Sequence, residues 1–236
     1  MSNHFIDEVR SMLDERSQEV ARHLEFAKAL RDSRADTLVK TTVNGDLLPF
    51  DYDIDRSLVK SISATGYLLL YNLVESTMTA ALDSVHKQMR SDNLSFHDLT
   101  ESIQKICLVN FRDAINKNHI DSHGSNTINE ALVWLGYDKD KHWNGNVDAL
   151  KIKKKARAYG FEIAAHDTSI TRGGSSLYGV RLKRNELAHG ELSFEQCGHD
   201  TSVDELIEIH TQSVVYLGAV LDGIENYLES RGYAAA

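Results

Sequence analysis

Leu68-Leu69-Leu70-Tyr71-Asn72-Leu73-Val74-Glu75-Ser76-Thr77-Met78, the centre of a run from about Ser57 to Met89, decides the fold. Across that run Leu70, Val74, Met78, Ala81, Val85 and Met89 recur at three- and four-residue steps, the period of a helix face and not the alternation of a strand. The run is predicted as one long core helix. Asn72, Glu75, Ser76 and Thr79 fall together on one side of it. The plain reading of that polar stripe is contact with solvent. The other is a wall of an active cleft, from which Glu75 orients a nearby arginine.

Working outward, the chain reads as almost entirely helical. Residues from about Ile6 to Leu30 carry a broken apolar stripe without Gly or Pro, which predicts a long peripheral helix. The pattern is lost from Asp32 to Asp55, where the Asn44-Gly45 turn and Thr41-Thr42-Val43 beside Leu47-Leu48 predict a short hairpin. Ser95 with Asp98 has the form of a capping box, so a helix is expected from about Ser95 to Asn116. Lys117 to Ser125 breaks it. His119 and His123 would suit a metal only on a helix, and Gly124 with its polar neighbours indicates a loop, so no metal site is assigned. A short helix is expected over Ile128 to Leu135.

Asn146 is expected to cap a helix from Val147 to Tyr159, with Ala149, Ile152, Ala156 and Tyr159 facing inward and Gly160 as the stop. Phe161 to Ser176 reads as irregular, and Gly173-Gly174-Ser175-Ser176 as a flexible loop that lacks the lysine of a nucleotide-binding loop. A helix is predicted from Leu177 to Leu192. Ser202 and Glu205 then start the last long helix, with Val203, Leu206, His210, Val214, Leu217, Leu221, Ile224 and Leu228 on one face. His210 interrupts that face, and reads as a hydrogen-bonded core or interface histidine before it reads as a catalytic one. The expected architecture is an all-α helical bundle with a small β-hairpin near the N-terminus. Residues 1–56 are expected to pack on a helical domain of residues 57–232.

Composition narrows the functions. With 236 residues, 42% of them hydrophobic, the chain is long enough for one substantial core, or for one domain with an appended subdomain. No stretch approaches the roughly 18 uninterrupted apolar residues of a membrane span, and Met1-Ser2-Asn3-His4 lacks the form of a secretory leader, so a cytoplasmic protein without membrane contact is expected. Cys107 and Cys197 read as ordinary reduced thiols. A formal charge of −9 argues against indiscriminate coating of nucleic acid. Any RNA contact must then be local. Lys151-Ile152-Lys153-Lys154-Lys155-Ala156-Arg157 and Arg181-Leu182-Lys183-Arg184 offer it, with Lys151, Lys154, Lys155, Arg181 and Lys183 as the candidates. A solvated helix face is the alternative for the first cluster.

The second cluster leads into Arg184-Asn185-Glu186-Leu187-Ala188-His189-Gly190. Arg184 is a permanent cation able to fork two donors onto phosphate oxygens, whereas His189 changes charge near neutrality and can move a proton to or from a sugar hydroxyl. At roughly 100° per residue, positions five apart diverge by about 140°. Asn185 and His189 share a face; Arg184 and His189 do not. Arg184 would therefore reach a shared site by its long stem, or meet a second copy of the motif on another subunit.

These residues resemble the R-x4-6-H signature of the HEPN superfamily, in which the residue after Arg is commonly Asn, Asp or His. The wider context, Leu68 to Ser76, Asn144-Gly145-Asn146-Val147-Asp148-Ala149-Leu150-Lys151-Ile152 before Tyr159-Gly160-Phe161, and Lys183 to Gly190 followed by Ser193-Phe194, is similar to the MAE-type HEPN-like nucleases over about residues 57–230. The resemblance implies a helical bundle that dimerises so that two motifs meet in one cleft, and a metal-independent endoribonuclease of toxin–antitoxin, abortive-infection or restriction-linked antiviral systems, with no cofactor and with an antitoxin or restriction-system partner. It implicates Arg184 and His189, with Asn185 as the polar residue of the motif; Glu75 is added from the polar stripe. It implies attack of the RNA 2′-hydroxyl on the adjacent phosphorus, with 2′,3′-cyclic phosphate and 5′-hydroxyl ends. Some HEPN domains carry a tyrosine two residues after the histidine that a partner nucleotidyltransferase modifies, but Glu191 stands there in this chain. The competing expectation is a noncatalytic HEPN scaffold that binds a partner protein or a nucleotide through the same surface.

Overall fold

The computed structural model describes residues 4–41, 47–116, 132–133, 137, 143 and 145–235. Among them are eight α-helices and one two-stranded sheet. The predicted core helix is α2, Arg56–Ser91, started by Asp55, whose carboxylate accepts the Leu58 N–H at 2.7 Å. Leu70, Val74, Met78, Ala81, Val85 and Met89 are all buried, as their spacing predicted. The N-terminal helix α1, His4–Ser33, buries Val9, Leu13, Val20, Leu24 and Ala27 and packs on α2 and on the last helix. Gly66 lets Leu24 approach α2, since a Cβ there would sit 2.9 Å from the leucine methyl.

The hairpin is present but pairs differently from its expected form. Strands β1, Thr37–Thr41, and β2, Leu47–Asp53, run antiparallel with Thr37 opposite Asp53 and Thr41 opposite Leu47. Most of the pairing therefore lies outside the segments singled out in the sequence. Register slips between Val39 and Thr41, in the interval of β2 that holds Pro49, which has no N–H to give a ladder. The Asn44-Gly45 turn lies outside the described residues.

The Ser95–Asp98 box forms, but it caps a 3₁₀ turn, Phe96–Asp98, and not the long helix. Leu99 is extended and bridges Ala234 near the chain end, so helix α3 begins only at Glu101 and runs to Asn116. His119, His123 and most of the short helix expected over Ile128 to Leu135 fall outside the described residues. Helix α4, Ala149–Tyr159, buries Ala149, Ile152, Ala156 and Tyr159 and ends on Gly160 at φ 88°. Its cap is Asp148, which accepts the Lys151 N–H at 2.9 Å; Asn146 is occupied elsewhere.

The irregular stretch expected over Phe161 to Ser176 holds only as far as Asp167, and that part lies across the last helix; the Gly173 to Ser176 segment expected as a flexible loop is helical instead. The Ala164 N–H donates to the Ala219 carbonyl at 3.1 Å, and Gly223 is required because a Cβ there would collide with the Glu162 carbonyl oxygen. A single-turn helix α5, Thr168–Thr171, and a 3₁₀ turn, Arg172–Gly174, follow. Gly174 serves packing, since a Cβ on it would meet Ala149 at 2.8 Å and Tyr216 at 2.9 Å. Helices α6, Ser176–Ala188, α7, Phe194–Asp200, and α8, Val203–Glu229, complete the bundle. Ser202 caps α8 by accepting the Glu205 N–H. The buried apolar residues of α1, α2, α4, α6 and α8 form one continuous core. Among the described residues no helix is long and apolar enough to cross a membrane.

Candidate active site

Helix α6 carries the motif, and it stops one residue before the histidine, not at Leu192 as its pattern predicted. Gly190, at φ 71°, turns the chain out of the helix: the Glu191 N–H reaches the Glu186 carbonyl at 2.9 Å and the Gly190 N–H reaches that of Leu187 at 3.3 Å. Those two bonds satisfy carbonyls that the helix end would leave open. His189 is thereby the C-cap residue, with its N–H on the Asn185 carbonyl at 2.9 Å and its side chain exposed. Among the described residues no hydrogen bond or ion pair reaches its imidazole. A ring so placed is open to a ligand and to a partner surface.

Arg184, a helix turn earlier, is held on several sides. Its guanidinium carbon stands 3.8 Å from the centroid of the Tyr71 ring, a cation–π stack. Its Nη1 donates to Asn185 Oδ1 at 2.8 Å, and its Nη2 is 3.7 Å from Glu75 Oε2. Gly145, at φ 65°, closes on the same group: a Cβ there would lie 3.2 Å from Nη2, so both the backbone conformation and the close approach call for glycine. The Glu75 contact is the loosest of these, too long for a charge-assisted hydrogen bond. A phosphate oxygen making a shorter contact could therefore displace it.

Behind Arg184 lies a second layer that the sequence reading did not assign. Asn146 Oδ1 accepts from Asn185 Nδ2 at 3.1 Å and from Arg181 Nη1 at 3.4 Å. Arg181 Nε forms a 3.0 Å ion pair with Asp148, a residue only 5% exposed, and its guanidinium stands 5.0 Å from the Tyr178 ring. The Tyr71 hydroxyl accepts the Val147 N–H at 3.1 Å, which ties α2 to this loop. Burial, with the Glu75 charge beside it, pushes the Tyr71 phenol above its ordinary value, so the group beneath Arg184 stays neutral.

Of the residues singled out in the sequence, the structure brings Arg184, Asn185, Glu75 and Arg181 together. Lys183 lies at a separate cleft with Tyr67, Glu186 and Glu205, and its Nζ pairs with Glu186 at 3.0 Å. That carboxylate raises the Lys183 pKa and offsets its charge. None of the described contacts around Arg184 involves Lys151, Lys154 or Lys155. Lys154 is exposed on α4, whereas Lys151 and Lys155 are partly buried, and burial lowers the Lys155 pKa. His210 bonds Ser17 Oγ at 3.0 Å between α8 and α1, the interface role that its position on an apolar face predicted. The described residues contain no His, Cys, Asp and Glu cluster suited to a metal ion.

A caged arginine and an exposed histidine at the end of one helix of a bundle match the signature read from the sequence, and the model of the MAE_28990-like HEPN family covers residues 5–233. The chain belongs to this HEPN family. The match takes in α1 as well as the region where the resemblance was read, so the N-terminal helix is part of the unit the family shares. No curated protein and no solved structure matches this HEPN chain.

Proposed function

We propose that this HEPN protein is a metal-independent endoribonuclease whose site is shared between two copies of the chain, working as a toxin or antiviral-defence effector. The observation that carries the reading is the contrast between α6 and its C-cap: Arg184 is stacked and hydrogen-bonded into one orientation, while His189 is exposed at the cap with its ring open. An oriented guanidinium stabilises charge that accumulates on the phosphorane oxygens, because its donors need not reorganise as the charge develops. An accessible imidazole takes the proton from the RNA 2′-hydroxyl or returns one to the leaving 5′-oxygen. DNA lacks that nucleophile and is not a substrate by this route. The five-residue spacing splays the two side chains, and a two-fold axis near the end of α6 would place one copy's His189 with the other's Arg184 around a phosphate.

The test is incubation of the wild-type chain, Arg184→Ala, His189→Ala and the double variant with RNA in EDTA. The wild type is expected to leave 2′,3′-cyclic phosphate and 5′-hydroxyl ends. Loss of the histidine is expected to slow cleavage by about 10²–10⁴-fold. A wild type inert in EDTA but active with added magnesium refutes the mechanism. Inertness under both conditions, with tight binding of a protein or a nucleotide, moves the weight to a scaffold. A strictly monomeric wild type in solution removes the shared site.

A further inference from the structure

We infer that Asn146 is a positioning residue: its side-chain oxygen, held in place by Arg181 and Asp148, fixes the Asn185 amide in the one orientation that presents an acceptor to Arg184. The inference rests on the proposed reading of Arg184 as the group that binds the scissile phosphate.

The argument starts from donor and acceptor bookkeeping. A guanidinium has donors only, whereas an asparagine amide has one accepting end and one donating end. Arg181 Nη1 lies 3.4 Å from Asn146 Oδ1, so the oxygen end of Asn146 must face it. Asn185 approaches the same oxygen at 3.1 Å and can do so only with its nitrogen. Its remaining end is then the oxygen, which accepts Arg184 Nη1 at 2.8 Å. Turning the Asn185 amide over would set oxygen against oxygen at Asn146 and N–H against N–H at Arg184. Donor-only groups at both ends of the chain therefore allow a single arrangement.

What this fixes is an angle. Stacking on Tyr71 sets the plane of the Arg184 guanidinium but leaves the tethered group some swing within that plane, because the ring face attracts the cation at any rotation. The hydrogen bond to Asn185 removes that freedom. The two-pronged approach to a phosphate depends on it, since the fork of donors must meet two oxygens at once.

The far end of the relay is a largely buried ion pair. Asp148 is buried, pairs with Arg181 Nε at 3.0 Å and caps α4 through the Lys151 N–H. Arg181, an expected RNA contact, also holds Asn146. The N-terminus of α4 thus orients an arginine on α6 through two amides, 39 positions apart in the chain.

The experiment is a double-mutant cycle of Asn146→Ala and Asn185→Ala in the full chain, read by RNA cleavage and by the ¹⁵N side-chain amide signals of Asn185. Asn146→Ala is expected to lower kcat about tenfold with KM changed less than about twofold, with the helical circular dichroism of the wild type. In the Asn185→Ala background the same substitution is expected to add nothing, because both act through one hydrogen bond. Losses that multiply, or an Asn146→Ala enzyme as fast as wild type, overturn the inference. If Asn146→Ala unfolds, Asn146→Leu, which keeps the volume but has no accepting oxygen, takes its place: displaced Asn185 amide signals uphold the inference and unchanged ones overturn it. A wild type that cleaves no RNA defeats the proposed function and leaves the relay to the amide signals alone. Their displacement and faster solvent exchange in Asn146→Ala uphold it; unchanged signals overturn it.

Discussion

Tyr71 performs two tasks with two parts of one side chain, and a pair of substitutions separates them. Its hydroxyl accepts the N–H of Val147, a residue with no exposed surface, and its ring carries Arg184 at 3.8 Å. Tyr71→Phe keeps the ring and leaves a buried N–H without a partner, at a cost of about 1–3 kcal/mol. In a chain of 236 residues each kcal/mol moves the melting point by about 2–4 °C, so a fall of about 2–12 °C is expected. Tyr71→Leu removes the ring face as well. The stack on Arg184 is worth about 0.5–2 kcal/mol, which at tenfold per 1.36 kcal/mol slows RNA cleavage about 2–30-fold if the stacked orientation is the one that meets the transition state. Comparing Leu with Phe, and not with the wild type, cancels whatever loosening of the 145–148 loop both share. The assays are thermal melting by circular dichroism and initial rates on a short RNA in EDTA. A Phe variant that melts with the wild type refutes the hydroxyl's role. A Leu variant that cleaves as fast as the Phe variant refutes the idea that the ring seats the arginine.

Two further outcomes test the packing and its titration. Gly223→Ala drives a methyl into the Glu162 carbonyl and should break the Ala164 to Ala219 hydrogen bond, lowering stability by about 1–3 kcal/mol or more. The control is Gly218→Ala, also on α8 and with open space around a Cβ; equal melting of the two variants would show that the crossing segment does not press on the helix. Burial pushes the His210 pKa below its ordinary 6.5, so the folded state resists a proton that the unfolded chain accepts. Its contribution is present above about pH 6.5 and is lost as the pH falls through the folded value. The melting point should drop between pH 7.5 and 5, less steeply in His210→Gln; identical slopes would mean that His210 does not drive the loss.

The order of helices was largely legible because hydrophobic period is a local property. Leu70 to Met89 announces a buried helix face, and the α8 face from Val203 to Leu228 does the same. The helix boundaries read less well where distant parts of the chain intervene. Ser95 and Asp98 form their box, but Leu99 is claimed by the chain end at Ala234, so the cap serves a 3₁₀ turn. Asn146 has the residue type and position of a helix cap, yet its oxygen is occupied by α6, and Asp148 two residues later caps α4. Gly190 stands inside the motif, and the helical pattern continues past it to Leu192. A positive-φ glycine is the common terminator of a helix, and that signal could have placed His189 at the cap.

The sequence by itself determined that the chain is a helical bundle with one main core, that Arg184 and His189 stand five apart on one helical stretch, and that Glu75 shares a polar stripe facing away from the core. Each of these follows from spacing along a single element. Only the tertiary structure decided what surrounds Arg184. Tyr71, Gly145, Asn146 and Asp148 all have adequate local explanations as a core aromatic, a turn glycine and cap residues. Their second role exists only once α2, the loop before α4 and α6 are brought together, because a stack, a close backbone approach and a hydrogen bond are set by distances between elements that no periodicity along the chain encodes.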